Sequence, residues 1–280
     1  MPLPNYIIFG AVKSGTGALH QYLSHHPEIF VSPLKEPRFF VDHASKSIHD
    51  DKAAHHSSDI SLEDYSQHFD KVTNEKAIGE SSSNYIYSRR AAQRIKEVIP
   101  HVRLIATLRN PVDRAYAHYQ MLKKSGQKAV SADLMDGRSE GWATCSLFFE
   151  NLQPYYEIFR RDQIKILIFE EWVVNTANAL KEIYRFLDVD DQFQLAPHIQ
   201  YRPGVATWPV VRKVDWLQKL KPYLPTRVLM TLNAIKANVT PERHQLSPEV
   251  RREMAGWYHD DILKLQDLLQ RDLSIWGNDV

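Results

Sequence analysis

The chain has 280 residues, 43% of them apolar, with 35 Lys+Arg against 34 Asp+Glu for a formal net charge of +1. That length and apolar content support one α/β domain with a large core, residues 1–280. The balanced charge excludes the global positive field of a nucleic-acid or anionic-membrane binder. A single cysteine, Cys145, excludes an internal disulfide and fits a reducing compartment.

Met1-Pro2-Leu3-Pro4 runs straight into the first strand, which leaves no signal peptide to expect, and no apolar run reaches the ~18 residues of a membrane span. The expectation is a bacterial-type cytoplasmic protein. Tyr6-Ile7-Ile8-Phe9 is a β-branched and aromatic run closed by Gly10, the pattern of a strand buried on both faces of a parallel sheet. Lys13-Ser14-Gly15-Thr16-Gly17 follows as a small-residue loop, and helix formers resume from Ala18, so a helix over about 16–24 is predicted, stopped at Pro27. A strand, a Gly-rich turn and a helix N-terminus make an anion cradle, where unpaired amides and the positive end of the helix dipole converge.

Gly10 and Gly15 have the P-loop spacing of four intervening residues, but Thr16 follows the second glycine and the lysine, Lys13, precedes it. A P-loop kinase also wants a carboxylate at the end of a neighbouring strand to hold Mg²⁺. The strand predicted over 102–108 ends in Arg109-Asn110-Pro111, a cation where that acid would stand.

Further along, Ile29-Phe30-Val31 reads as a short strand that exits into Ser32-Pro33-Leu34-Lys35-Glu36-Pro37, and catalytic side chains commonly ride on such exits. Residues 42–68 are polar, with His43, His49, His55 and His56 on no rigid metal-ligand spacing, and read as a solvated loop. Lys76–Glu80 reads as a strand ending in Ser81-Ser82-Ser83, and helices are predicted over about 88–99 and 111–124. Residues 125–143 read as a mobile loop over the site. A helix over about 146–160, a strand over 164–169 and a helix over 177–187 complete a strand–helix alternation, which means a parallel sheet with crossovers. Six prolines break the pattern between 190 and 245. From Ser247 a helix carries the stripe Val250, Met254, Trp257, Tyr258, Ile262, Leu265 and Leu269, expected to pack on the sheet edge.

Three stretches carry a resemblance. Gly10-Ala-Val-Lys-Ser-Gly-Thr-Gly-Ala-Leu19 resembles the 5′-phosphosulfate loop of sulfotransferases that use 3′-phosphoadenosine 5′-phosphosulfate (PAPS), and Leu104 to Tyr119 resembles their 3′-phosphate motif. Lys35-Glu-Pro-Arg-Phe-Phe40 is similar to the segment with the catalytic glutamate in the branch that includes heparan sulfate sulfotransferases and many bacterial relatives. The resemblance implies a P-loop-like three-layer α/β/α fold with a central parallel sheet and a helical C-terminal region.

It also implies roles. Lys13 and the amides from Ser14 through Gly15, Thr16 and Gly17 to Ala18 would hold the phosphosulfate, Arg109 the 3′-phosphate, and Glu36 would take the acceptor proton. No metal is required, because sulfuryl transfer accumulates charge on the leaving phosphate, where cations and N–H donors suffice. A buried strand end is costly for Arg109 without a partner; a phosphate supplies one, and an ion pair with Asp113 is the competing role. The family's second 3′-phosphate contact is a serine, and here the position is Ala117, a loss of about 1 kcal/mol. Other branches place a histidine base after the next strand, where this chain has Ser81-Ser82-Ser83; His118 reads as packed or solvent-facing rather than as a base. The late nucleotide loop keeps Gly204 but has Thr207 at its basic position, with Arg202 or Arg212 as substitutes.

The function expected is therefore sulfuryl transfer from PAPS, with adenosine 3′,5′-bisphosphate (PAP) as product, to a hydroxyl of a glycan, lipid or other small acceptor, without nucleic acid or a transmembrane segment. The alternatives are a P-loop small-molecule kinase and a nucleotide-binding protein that has lost catalysis, the latter suggested by Ala117 and Thr207.

Overall fold

A computed structural model describes residues 2–41, 60–125, 134–196 and 246–277. The chain divides into one unit of Met1–Ile199 with Ser247–Val280 and a second of Gln200–Leu246; the first is described below. Gly204, Thr207, Arg202, Arg212 and the four histidines at 43, 49, 55 and 56 lie outside the described residues.

Five strands, β1 (Tyr6–Gly10), β2 (Ile29–Val31), β3 (Ala77–Ser81), β4 (Arg103–Leu108) and β5 (Ile164–Ile168), form one parallel sheet in the order β2-β3-β1-β4-β5. The strand order reverses at β1, so β3 and β4 flank it and their C-terminal ends open a crevice beside the loop that follows β1. All five residues of β1 are buried, as its uninterrupted apolar run requires.

Two helical layers cover the sheet, and the period-2 alternation of the strands tells them apart. Ile7 and Phe9 of β1 and Leu104, Ala106 and Leu108 of β4 join one core with α3 (Arg89–Val98) and α6 (Phe148–Ile158). The Phe9 and Tyr155 rings lie 4.5 Å apart in it. The intervening residues face α1 (Thr16–Leu23) and α8 (Thr176–Leu187): Lys165 of β5 donates to Glu182 of α8 at 2.8 Å. The three-layer α/β/α arrangement is thereby confirmed.

Helix starts follow from local chemistry. Asn110 caps α4 (Pro111–Lys124) by accepting from the amides of Val112 and Asp113, with Pro111 at the first helical position, where a missing N–H costs nothing. Ser88 and Asn175 cap α3 and α8 in the same way. α2 (Leu62–Ser66), α5 (Gly141–Thr144) and α7 (Phe169–Trp172) are short.

Two expectations are corrected. The stripe on the C-terminal helix α9 (Pro248–Leu269) packs chiefly on α4 and α6 rather than on the sheet edge, burying Met254, Tyr258 and Leu265, while Asp261 caps α6 through the amides of Phe149 and Glu150. The described part of the stretch expected as a mobile loop is a 3-10 turn, Met135–Gly137, followed by α5 with a fully packed Trp142. Its composition of Gly, Ser and charge hid a single large anchor.

Candidate active site

The loop after β1 is pinned from beneath. Thr107 of β4 donates its hydroxyl to the Ser14 carbonyl at 2.9 Å and accepts from the Trp172 indole at 2.8 Å. Ala11 N–H donates to the Thr107 carbonyl at 3.0 Å, and Val12 N–H to the Tyr87 hydroxyl at 3.0 Å. Gly15 turns the chain into α1 with φ 93°, and a Cβ there would lie 2.8 Å from Trp172 and 2.9 Å from Phe169. Only glycine meets both demands.

Within the loop, Ser14 N–H donates to the Ala11 carbonyl at 3.2 Å and Ala18 N–H to the Gly15 carbonyl at 3.0 Å. Both ends of the expected cradle are thus engaged internally, and Gly15, Thr16 and Gly17 keep amides without a partner among the described residues. The Ser14 hydroxyl oxygen is buried with no hydrogen-bond partner, an orphan that a ligand oxygen would satisfy.

Lys13 has a side chain open to solvent and a backbone in the left-handed region, φ 68°. Protein crowding its flank, ahead of the charges of Arg109, Lys124, Arg114 and Lys35, pulls its pKa below the ordinary lysine value. Four like charges around one ammonium make a field that attracts a polyanion.

Arg109 leaves β4 beside this loop. Its guanidinium lies 5.2 Å over the Phe169 ring, one terminal nitrogen donates weakly to the Lys13 carbonyl at 3.4 Å, and Nε is buried without a partner. The competing ion pair is not formed, because Asp113 binds Arg251 of α9. Ala117 is half-buried on α4, and His118 is buried there. The unpaired Nε and Ser14 hydroxyl, with the free amides and Lys13, suit two phosphate-type groups.

Glu36 sits at the exit of β2 in a strained turn, with φ 60° at Glu36 and 55° at Arg38, each costing about 1 kcal/mol or more. Tertiary bonds hold the strain. Glu36 N–H donates to the Ser81 carbonyl at 2.8 Å, and its carboxylate accepts from the Ser83 hydroxyl at 2.6 Å and the Ser83 amide at 3.1 Å. Lys35 Nζ reaches the same carboxylate at 3.3 Å, and Arg38 Nε stands at 3.7 Å. The side chain keeps 16% exposure.

The cradle and this carboxylate are neighbours. A Cβ placed on Gly17 would meet Lys35 Nζ at 4.0 Å, so the lysine that touches Glu36 also reaches the first turn of α1. His20, one turn further along α1, accepts or donates at 2.8 Å with the Ser81 hydroxyl. Burial, then the Lys35 charge, partly offset by Glu36, lowers its pKa to about 4, so it is neutral at pH 7.

Four contributors escaped the sequence reading. Lys35 and Ser83 appeared there only as neighbours of other features. Arg114 of α4 is fully buried, donating to the Ser146 hydroxyl at 2.6 Å, to the Trp142 carbonyl and, at 3.4 Å, to Tyr87, whose hydroxyl holds Val12. Its charge has no carboxylate at ion-pair distance among the described residues and adds to the field at Lys13. Glu80, at the end of β3, is 0% exposed and hydrogen-bonds Ser82 at 2.7 Å and Tyr65 at 3.2 Å. A glutamate in a predicted strand carries no signal of such a place.

The family model described as the sulfotransferase family matches residues 4–193. A membrane-associated sulfotransferase of Dictyostelium discoideum, kil1, is 34% identical over 130 residues, 44% of this chain and 25% of that protein. The bifunctional heparan sulfate N-deacetylase/N-sulfotransferase 4 of Mus musculus is 25% identical over 285 residues, 96% of this chain and 30% of that protein. This chain therefore spans less than a third of either relative. The crystal structure of a sulfotransferase from Alicyclobacillus acidocaldarius shares the fold, with a TM-score of 0.70 and 24% identity over 99% of this chain and 100% of that one. No helix among the described residues is long and apolar enough to cross a membrane. With the match running through β1, its loop, the Glu36 turn and β4 into Arg109 and α4, the chain belongs to the sulfotransferase family, enzymes of sulfuryl transfer.

Proposed function

We propose that the protein transfers the sulfuryl group of PAPS to an acceptor hydroxyl, with Glu36 as general base. The observation that carries this reading is the convergence on Lys35: one ammonium lies 3.3 Å from the Glu36 carboxylate and within about 4 Å of the first turn of α1, so base and anion cradle share one crevice. In the reaction the bond from sulfur to the phosphate oxygen breaks, the bond from sulfur to the acceptor oxygen forms, and the acceptor proton passes to Glu36. The negative charge left on PAP falls to Lys13 and the amides of Gly15, Thr16 and Gly17. Arg109 holds the 3′-phosphate. Glu36 works through position, because an alcohol loses its proton only as the new bond forms.

Among the described residues, the ends of the two strands that flank β1 offer the kinase alternative no open metal-holding acid. Arg109 ends β4, and the carboxyl at the end of β3, Glu80, is fully buried among hydroxyls. Intact Lys13 and Glu36 speak against a protein without catalysis. One domain spanning 1–280, a nucleotide contact at Gly204 and a cytoplasmic setting belong to the same proposal.

The acceptor is a glycan, lipid or other small molecule, and the heparan sulfate named for the mouse relative puts carbohydrate first. Incubation with labelled PAPS and a pooled glycan and metabolite extract, followed by mass spectrometry, is expected to give a sulfated product in the presence of EDTA. Transfer of phosphate from Mg²⁺-ATP with no sulfated product would make the kinase reading the better one.

A further inference from the structure

We propose that Glu80 is a positioning residue for the base, gripping the strained turn of Glu36 through the hydroxyls of Ser82 and Tyr85. The inference rests on the reading of Glu36 as the base, while the grip itself rests on hydrogen bonds alone.

The turn needs holding because Glu36 and Arg38 both occupy left-handed backbone without being glycine. Arg38 N–H donates to the Ser82 hydroxyl oxygen at 3.1 Å, and Phe40 N–H to the Tyr85 hydroxyl oxygen at 3.3 Å. The proton of Ser82 goes to Glu80 at 2.7 Å, and Tyr85 contributes a further hydroxyl bond to the same carboxyl. Tyr65 donates to the other oxygen at 3.2 Å and stacks on Phe39 at 4.3 Å, between the two held amides. One fully buried carboxylate thus orients three hydroxyls, and two of them hold the backbone around the base.

Hydroxyl chemistry makes this grip depend on charge. A hydroxyl has one proton to give. An ionised Glu80 accepts from Ser82 and Tyr85 and leaves their lone pairs to the Arg38 and Phe40 amides. A protonated Glu80 turns from acceptor to donor toward one of the three hydroxyls it faces and accepts fewer of their protons, which loosens the orientation of Ser82 and Tyr85 toward the two amides. The titratable groups facing it are Tyr65 from α2, Tyr85 from the 3-10 turn after β3, and Glu36 from the turn itself, with Lys35 and Arg38 beside Glu36; His20 of α1 turns to Ser81 instead. Burial, opposed by the hydroxyl bonds and reinforced by Glu36, raises the Glu80 pKa to about 7. The grip therefore tightens as pH rises through neutrality.

The test compares wild type with Glu80→Gln and Ser82→Ala in three measurements. The first is amide hydrogen exchange, as protection factors for Arg38 and Phe40 between pH 6 and 8. The second is PAP affinity by calorimetry, and the third is turnover of labelled PAPS with the acceptor found above. Both variants are expected to lose roughly 10-fold or more in protection at the two amides, and kcat should fall roughly 10- to 100-fold, as for a base misplaced by a fraction of an ångström, with PAP affinity within about 2-fold. Wild-type protection and kcat should rise through pH 7, and Glu80→Gln should remove that rise. Wild-type protection in both variants overturns the proposal, as does a loss spread equally over β1, β3 and β4. Should PAP fail to bind any of the proteins, the sulfotransferase reading falls, and hydrogen exchange still decides whether Glu80 grips the turn.

Discussion

Arg109→Ala separates the two phosphate positions of the proposed donor. The guanidinium spends little on the protein: one long bond to the Lys13 carbonyl at 3.4 Å and a ring contact at 5.2 Å, with Nε unpartnered. Its removal should cost about 1 kcal/mol of stability or less, since an exposed cation–π contact contributes about 0.5–1 kcal/mol. A 3′-phosphate would take charge-assisted bonds from Nε and a terminal nitrogen, each ~1.5–3 kcal/mol when fully desolvated. For a half-buried arginine the lower part of that range applies to each bond, so the loss is about 3–4 kcal/mol, roughly 150- to 1,000-fold in Kd. Adenosine 5′-monophosphate lacks that phosphate and should weaken only about 3-fold or less, through loosening of Lys13. Calorimetry with PAP and the monophosphate, both with EDTA, gives the two ratios. Equal losses for both ligands would remove Arg109 from the 3′-phosphate and refute the assignment.

Ala117→Ser restores the hydroxyl that the family pattern has at this half-buried position, and PAP affinity should stay level or improve by up to about 1 kcal/mol; a marked loss would show that α4 presents this position elsewhere. Glu36→Gln keeps shape and one of the two hydrogen bonds accepted from Ser83 while abolishing proton acceptance, so kcat should fall roughly 10²- to 10⁴-fold with PAP affinity nearly intact. Retained turnover on the identified acceptor would put the base elsewhere. Gly79→Ala would place a Cβ 2.2 Å from the Tyr6 ring, which lies over this glycine across the β1–β3 pair. Thermal unfolding should show a loss of about 1–3 kcal/mol or more, and an unchanged midpoint would mean that the ring moves freely.

Much of the cradle was readable because its constraints are local. A left-handed turn needs Gly15, a helix start takes Asn110 and Pro111, and a buried strand needs the run from Tyr6 to Phe9, each visible within a few residues. Glu36 was placed on a strand exit by local pattern, and its role as base was readable only through the resemblance of its segment. What escaped depends on strand order. Ser83 and Glu80 lie more than 40 residues from Glu36 in sequence, and they meet it because β2 and β3 are neighbours in the sheet. Nothing local to Ala77–Ser81 announces that contact. The C-terminal stripe was readable as apolar, but its partner was not, because a helical face reports that it is covered and not by what.

Glu80 also shows why the residue that positions a base need not stabilise the fold. Its folded pKa of about 7 lies above the ~4.5 of an unfolded glutamate, so the native state binds its proton more tightly. The group's favourable contribution is complete below about pH 4.5, declines as pH rises toward 7 and levels off above it, where the buried charge is least favourable. Turnover runs the other way, since the ionised form orients Ser82 and Tyr85 toward the turn. A purely structural carboxylate would show both quantities moving together. Glu80→Gln should therefore leave the protein at least as stable as wild type at pH 8, with the difference shrinking by pH 5, while its kcat at pH 8 is the more impaired. A large drop in unfolding midpoint at pH 8 would mean that the hydroxyl bonds outweigh the desolvation of the charge, and that the carboxylate serves the core first and the base only through it.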